Sequence, residues 1–261
     1  MQSILEICAG SLASCLAAQQ GGAQRVELCD NLLEGGTTPS YGMVALARDS
    51  LGIDLNVLIR PRGGDFLYTA LEFETMARDI EMCRKLGVNG VALGMLTADG
   101  DIDGPGTREL VGLAGTMSVT FHRAFDMARD PISALEEVIA AGCARLLSSG
   151  QAATALDGAD LLALLRQQAG ERLIVMPGAG VRAANVAELA RRTSCREFHA
   201  SARAEVASGM RYRQPGLSMG APGTDEYLRK ETAVDEVRAL RAALDGAPPS
   251  RYEKNLAWRG D

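Results

Sequence analysis

Histidine, tryptophan and long apolar runs are scarce in this chain of 261 residues, which contains two histidines and one tryptophan. Because no apolar run is long enough to cross a bilayer, we expect no transmembrane helix. The first residues lack the basic segment of a secretory signal peptide, so we expect a cytoplasmic protein with reduced cysteines. The spacings Cys-x-x-Cys and His-x-x-x-His are also absent, which disfavours a structural zinc site.

The remaining composition is that of an ordinary folded protein. Hydrophobic residues make up 47% of the chain and charged residues 23%, which is enough to bury a core. The net charge of −6 makes nucleic acid and anionic membrane surfaces unattractive partners. The length suits one large α/β barrel or two modest domains.

Apolar strand-like runs alternate with helical patterns along the chain. The predicted strands cover residues 3–8, 25–29, 55–60, 90–94, 118–122, 145–149, 173–176 and 197–201. Predicted helices cover 11–21, 40–51, 70–86, 105–114, 131–141, 153–169 and 183–192, followed by an irregular segment at 202–223 and a charged helix at 225–244. Eight such units predict a single α/β domain, a (β/α)8 TIM barrel over residues 1–244 with a C-terminal tail at 245–261. A doubly wound sheet in two lobes is the alternative, and the even spacing favours the barrel.

The first two predicted strands carry the same polar pair. Glu6 and Cys8 share one face of the first strand, and Glu27 and Cys29 share one face of the second. A carboxylate inside a buried strand is costly unless it is paired, hydrogen-bonded or bound to a metal. Two such glutamates in the same setting therefore predict a shared polar centre.

Further chemistry-bearing residues fall where strands end, which is where TIM barrels collect their active sites. Both histidines, His122 and His199, lie at strand ends, and Arg60, Arg62 and Arg123 are candidate partners for the two glutamates. One interpretation is a structural ion-pair network that closes the barrel. The other is a pocket for an anionic or polyhydroxy ligand, with Glu and His as base and acid. The predicted catalytic set is Glu6, Glu27, Arg60, His122, Arg123 and His199.

Glycines after the sixth and seventh strands suggest an anion-binding loop. Gly178 and Gly180 lie in a turn between the seventh strand and a helix, where many barrels bind phosphate through backbone N–H groups, although the turn alone would also explain them. Ser149 and Gly150 after strand six can supplement this loop. The full set of predicted substrate-binding residues is Arg62, Asp126, Ser149, Gly150, Gly178, Gly180 and Ser201.

Cys8 and Cys29 are the softest potential ligands near the mouth. Thiolates favour Cu(I) among cytosolic ions, so these two residues are the predicted metal ligands. The alternative is that both cysteines are ordinary core residues.

Several segments, taken together, resemble the CutC copper homeostasis family. They are Leu-Glu-Ile-Cys (5–8), Arg-Val-Glu-Leu-Cys (25–29), Glu-Gly-Gly-Thr-Thr-Pro-Ser (34–40), Ile-Arg-Pro-Arg-Gly-Gly-Asp-Phe (59–66), Val-Thr-Phe-His-Arg-Ala-Phe-Asp (119–126), Ser-Gly-Gln (149–151), Gly-Ala-Gly-Val (178–181) and Arg-Tyr-Arg (211–213). The resemblance implies a cytoplasmic TIM barrel, a homodimer or larger homo-oligomer, and a role in copper tolerance in which Cys8 and Cys29 match the positions proposed for Cu(I). Where some relatives have further cysteines, this chain has Ala9 and Leu67.

Two functions therefore remain open. The first is a copper homeostasis protein that binds Cu(I) through Cys8 and Cys29. The second is an enzyme, of hydrolase, lyase or isomerase type, acting on a small phosphorylated or polyhydroxy substrate at the mouth. A barrel that serves only as a structural or partner-binding protein is a third, weaker option.

Overall fold

Eight parallel strands form one sheet that curls into a nearly closed barrel in the computed structural model, which describes residues 3–217, 219 and 225–246. The strands are β1 Ile4–Ala9, β2 Arg25–Leu28, β3 Asp54–Leu58, β4 Gly90–Leu93, β5 Ser118–Phe121, β6 Arg145–Ser148, β7 Ile174–Pro177 and β8 Glu197–Ala200. Their order in the sheet is β7-β6-β5-β4-β3-β2-β1-β8. The predicted (β/α)8 TIM barrel is confirmed.

Helices connect the strands and cover the outside of the barrel. They are α1 Leu12–Gln20, α2 Tyr41–Ser50, α3 Ala70–Leu86, α4 Gly104–Ala114, α5 Pro131–Ala140, α6 Ala159–Ala169, α7 Val186–Thr193 and α8 Val234–Asp245. Local sequence sets several of their ends. Thr69 and Glu72 form a capping box at the start of α3, and Gly87 ends that helix at a φ of 69°. None of the helices in the described part of the chain combines the length and apolar character that a membrane span needs.

The alternation along β1 separates an apolar face from a polar one. Leu5 and Ile7 of β1 are fully buried within the apolar core. Their neighbours Glu6 and Cys8 project to the other face, inside the barrel, as the period of two requires. The interior of the barrel is therefore where the polar residues collect.

Close packing at the seam between β7 and β8 depends on a residue without a side chain. A Cβ atom on Gly178, directly after β7, would lie 2.4 Å from Leu147 Cδ1 and 3.3 Å from His199 Cβ. The Gly178 N–H continues the ladder to β6, donating to the carbonyl of Ser148 at 2.9 Å. Glycine here lets the β7 loop approach the β8 histidine.

The segment after the barrel strands differs from its prediction. An antiparallel hairpin, β9 Arg203–Ala207 and β10 Leu228–Thr232, occupies part of the predicted irregular segment and the first part of the predicted helix at 225–244. The helical prediction is correct only from Val234, where α8 starts. The helix predicted at 153–169 likewise begins six residues later, at Ala159. Of the predicted tail at 245–261, residues 247–261 lie outside the described part of the chain.

Candidate functional site

A charge-balanced network fills the interior of the barrel. Arg25 of β2 donates from Nε to Glu6 Oε2 at 2.5 Å and from Nη2 to Glu197 Oε2 at 2.6 Å. Arg145 of β6 donates from Nε to the same Glu197 oxygen at 2.6 Å. Asn56 Nδ2 adds a hydrogen bond to Glu6 Oε2 at 3.2 Å. All five side chains are buried, and two arginines match two glutamates, so the network carries no net charge.

These contacts correct the predicted partners of the glutamates. Arg60 does not pair with Glu6 or Glu27; it donates to the carbonyls of Glu34, Gly36 and Gly64. The other two arginines form ion pairs with carboxylates close to them in the sequence. Arg62 pairs with Asp65 and Glu72, and Arg123 pairs with Asp126.

Two thiols and a carboxylate lie together at the mouth end of β1 and β2. Cys8 Sγ lies 3.7 Å from Cys29 Sγ, and Cys29 Sγ lies 3.5 Å from Glu27 Oε2. One potential ligand atom from each of the three residues falls within 4.8 Å of the other two. The cluster arises because β1 and β2 are hydrogen-bonded neighbours, with Cys8 opposite Glu27 in the ladder. Two sulfurs and one oxygen form a donor set suited to a thiophilic metal ion.

His199 joins this cluster to the buried network. Its Nδ1 lies 2.7 Å from Glu6 Oε1, and its Nε2 lies 3.8 Å from Glu27 Oε2. A carboxylate on one ring nitrogen fixes the orientation of an imidazole and makes the other nitrogen a better donor to a metal or a proton acceptor. Glu6 therefore holds His199 with Nε2 directed toward the cluster.

The two glutamates have opposite pKa shifts. Burial by itself raises the pKa of each carboxyl. At Glu6 the charge of Arg25 and the hydrogen bond from His199 outweigh burial and hold the pKa well below its usual range. At Glu27 burial dominates, and the neighbouring Cys8 and Glu6 add to it, so that the pKa rises to about 8. Glu6 is thus a fixed anion, whereas Glu27 can hold or release a proton near neutral pH.

The pKa values of the two cysteine thiols and of His122 are also shifted. The hydrogen bond from Cys29 lowers the pKa of the Cys8 thiol to about 5. Burial acts in the opposite direction, and His199 adds to the lowering. The same hydrogen bond, followed by burial, raises the pKa of Cys29 well above its usual value. At His122 burial, with the charge of Arg60, lowers the pKa to about 3. His122 is therefore a neutral imidazole at pH 7.

A cavity of about 790 Å³ opens over the cluster. Its wall includes nine of the predicted site residues, which come from strand ends distributed around the barrel. They are Cys8, Glu27, Arg60, His122, Arg123, Asp126, Gly180, His199 and Ser201. Glu6 lies beneath the cavity, as the hydrogen-bond partner of His199.

Asp126 and Ser149 use their polar atoms within the protein. Asp126 accepts from the Ser148 hydroxyl at 2.6 Å, from the backbone N–H of Ser149 at 3.0 Å and from Arg123 Nε at 2.7 Å. Gly150 follows with a φ of 69° and lies against the backbone of Gly158, where a Cβ atom would sit 2.3 Å from the carbonyl oxygen. These contacts anchor the loop after β6 to the loop after β5. The geometry thus accounts for Asp126, Ser149 and Gly150 through loop packing, while their predicted role in substrate binding stays a prediction.

Sequence reasoning did not single out several of the residues that complete the site. Three of them, Arg25, Arg145 and Glu197, form the buried network, and two more, Arg182 and Arg203, line the cavity. The alternation of side chains along a strand could have identified two of these residues. Arg25 precedes Glu27 by two residues, and Glu197 precedes His199 by two. Each therefore had to face the barrel interior together with a residue already assigned there.

Comparison with known proteins places this chain among relatives of one kind. The profile of the CutC family matches residues 3–204. The chain belongs to the CutC family. A CutC family protein of Chromobacterium violaceum is 70% identical over 247 residues, which cover 95% of this chain and all of the relative. One from Bacteroides thetaiotaomicron is 53% identical, with 89% of this chain and 94% of the relative covered.

Solved structures agree with this assignment. A CutC from Streptococcus agalactiae, described as a candidate copper homeostasis protein, is 33% identical with a TM-score of 0.73, covering 76% of this chain and 98% of that one. Thiamine phosphate pyrophosphorylase from Pyrococcus furiosus has a TM-score of 0.59 at 13% identity, covering 94% of this chain and 96% of that one. The second likeness concerns the barrel fold alone.

Proposed function

We propose that this protein binds Cu(I) at Cys8 and Cys29 and acts in copper homeostasis in the cytoplasm. The observation that carries the proposal is the 3.7 Å separation of the two sulfurs beside the Glu27 carboxylate, with Cys8 and Glu27 in the wall of an open cavity. Soft thiolate ligands select Cu(I) over the harder cytosolic cations. The description of the Streptococcus agalactiae CutC as a candidate copper homeostasis protein supports the same role.

The sulfur geometry favours a shared ion over a disulfide. In the β1–β2 ladder, Cys29 lies two residues beyond the partner of Cys8, which corresponds to a Cα separation of about 8 Å. Disulfides need Cα atoms closer than about 7 Å. One thiophilic ion could instead be held by both sulfurs. Glu27 and His199 would be the candidates for a third ligand.

A competition experiment tests this proposal. The reduced protein is titrated with Cu(I) against a chromophoric Cu(I) chelator, beside the variants C8S, C29S and C8S/C29S. We expect one tightly held ion in the parent and a loss of at least 100-fold in affinity in the double variant, since both soft ligands are gone. C143S/C195S is the matched control, because both of its cysteines are buried away from the cavity. A double variant C8S/C29S that competes as well as the parent would rule out the site.

A second candidate function is an enzyme acting at the same mouth. The observation that favours it is the volume of the cavity, since about 790 Å³ is far more than a single ion needs and lies in the range of small-molecule sites. Glu27 with its raised pKa would act as the base, and neutral His122 would donate a hydrogen bond to a developing oxyanion. This combination suits proton transfer next to a carbonyl, as an isomerase or lyase requires.

Turnover in deuterated buffer tests the enzyme candidate. Small sugar phosphates are incubated with the protein, and NMR reads isomerisation, cleavage and incorporation of solvent deuterium. We expect E27Q to abolish incorporation while leaving binding of the same compounds in place. Incorporation at an unchanged rate in E27Q would remove Glu27 from the mechanism, and no reaction with any compound of the panel would count against the enzyme.

A further inference from the structure

The cavity is more positive than the protein as a whole. Its wall carries four arginines and three carboxylates, in a chain whose net charge is −6. The arginines are Arg60, Arg123, Arg182 and Arg203, and the carboxylates are Glu27, Asp126 and Glu236. Arg123 and Asp126 neutralise each other.

The two arginines at the rim have no carboxylate partner within the part of the chain that the structure describes. Arg182 follows β7 and Arg203 begins β9 directly after β8, and both are exposed. Neither guanidinium forms an ion pair with a carboxylate of residues 3–217, 219 and 225–246. Arg203 and Cys8 lie in the wall of the same cavity. Two guanidiniums at one edge of a concave site can bind one anionic group from two sides.

An unused donor lies in the wall of the cavity. His122 is only 5% exposed, and its Nδ1 accepts the backbone N–H of Ala124 at 3.2 Å. The ring proton of the neutral imidazole is therefore on Nε2, and this nitrogen has no acceptor among the described residues. Arg60 Nε is a second buried donor without an acceptor there. Buried donors are rarely left unsatisfied, so both are suited to an oxygen atom brought in by a ligand.

The loops that carry the rim arginines are conformationally strained. Ala179 has a φ of 81° and Ala202 a φ of 46°, both in the left-handed region that residues with a Cβ atom rarely adopt. Both residues line the cavity: Ala179 lies three positions before Arg182, and Ala202 directly precedes Arg203. Strained residues of this kind concentrate where loops are held in place for binding.

We propose that this cavity binds a small phosphate monoester, with Arg182 and Arg203 on the phosphate group and His122 donating to an oxygen of the organic part. The loops after strands seven and eight are the usual place for phosphate in barrels, which favours phosphate over other anions. The cavity can hold such a molecule together with the cluster of Cys8, Glu27 and Cys29. The proposal names the substrate class of the second candidate function and rests on it. The Cu(I) proposal is independent of it.

Binding, read without turnover, tests the proposal. Ribose 5-phosphate, ribose and succinate are titrated calorimetrically into the parent, R182M/R203M and the control R78M/R238M. The control removes the same two charges from exposed arginines on α3 and α8 that are paired with Glu74 and Asp235, away from the cavity. We expect saturable binding of ribose 5-phosphate only, at least tenfold weaker in R182M/R203M and unchanged in R78M/R238M. An equal loss in both double variants, or no saturable binding by the parent, overturns the proposal, and tighter binding of succinate overturns the phosphate class.

Two further measurements test the contact between His122 and the ligand and provide a readout that does not depend on the folding of a variant. H122N keeps an acceptor for the Ala124 N–H but lacks the distal donor, so we expect about threefold to tenfold weaker binding of ribose 5-phosphate. In the parent protein, ribose 5-phosphate should slow alkylation of Cys8 by iodoacetamide in a saturable way, because Cys8 lines the same cavity. An alkylation rate independent of ribose 5-phosphate contradicts binding in this cavity. Binding without any turnover would support this inference while refuting the enzyme.

Discussion

Glu6 and Glu27 occupy equivalent places on neighbouring strands, each two residues before a cysteine, yet they lie in opposite electrostatic surroundings. Glu6 accepts hydrogen bonds from Arg25 at 2.5 Å and from Asn56 at 3.2 Å, and it lies 2.7 Å from His199 Nδ1. Among the described residues, the polar partners of the Glu27 carboxylate are the Cys29 thiol at 3.5 Å and His199 Nε2 at 3.8 Å. The same residue type in the same strand position is thus fully neutralised in one case and weakly compensated in the other.

The difference divides the polar interior into two regions with different roles. The inner region, built from Glu6, Arg25, Arg145 and Glu197, satisfies its own charges and has none left for a ligand. The outer region at the mouth keeps thiols, a carboxylate and an imidazole next to a cavity. An inner network of this kind can hold the outer groups in fixed positions, as the Glu6–His199 contact illustrates. Stability should therefore depend on the inner region and ligand binding on the outer one.

Removing the central arginine should have the largest effect on stability. In R25M both Glu6 and Glu197 lose a buried partner, and breaking a buried ion pair from one side costs about 3–5 kcal/mol. We expect a loss of that size in the free energy of unfolding, measured by urea denaturation at pH 7. R78M is the control, since Arg78 forms an exposed pair with Glu74 and should change stability by less than about 0.5 kcal/mol. A loss in R25M below about 1 kcal/mol would mean that the inner network is not structural.

Paired substitutions of the two glutamates sharpen the comparison. E6Q removes a charge that Arg25 and His199 both contact, and we expect it to cost about 2–3 kcal/mol in unfolding free energy. E27Q keeps the shape of a side chain that has no arginine or lysine partner in the described structure, and we expect a change of less than about 1 kcal/mol. Both variants are compared by denaturation at pH 7. Equal losses in E6Q and E27Q would contradict the division into two regions.

The sequence predicted the barrel well because its pattern is regular. Apolar runs of four or five residues, bounded by glycines and N-cap residues such as Thr69, define each strand and helix locally. The hairpin β9–β10 was missed because its second strand has no such apolar run. Leu228–Thr232 and the helix that follows both read as charged segments, and only pairing with β9 shows which part is a strand.

The residues at the mouth were predicted better than their partners. Cys8, Glu27, His122 and His199 line one cavity, as their places at strand ends had indicated. The arginines expected to pair with the two glutamates were the wrong ones, since Arg60 donates to loop carbonyls while Arg25 pairs with Glu6. Which guanidinium reaches a carboxylate depends on the stagger of strands around the barrel, and a single sequence does not specify that stagger.

A smaller loss than the one expected in E6Q concerns His122, which extends the comparison to a neutral group. Its pKa is lowered from 6.5 to about 3, so the unfolded chain binds a proton at pH values where the folded protein does not. Stability conferred by neutral His122 is therefore complete above pH 6.5 and declines as the pH falls toward 3. Between pH 6.5 and 5 we expect this residue to account for a loss of roughly 1–2 kcal/mol. H122N, which has no titrating ring, should lose less unfolding free energy over that interval in urea denaturation. Parallel losses in parent and variant would show that His122 becomes protonated without unfolding the barrel.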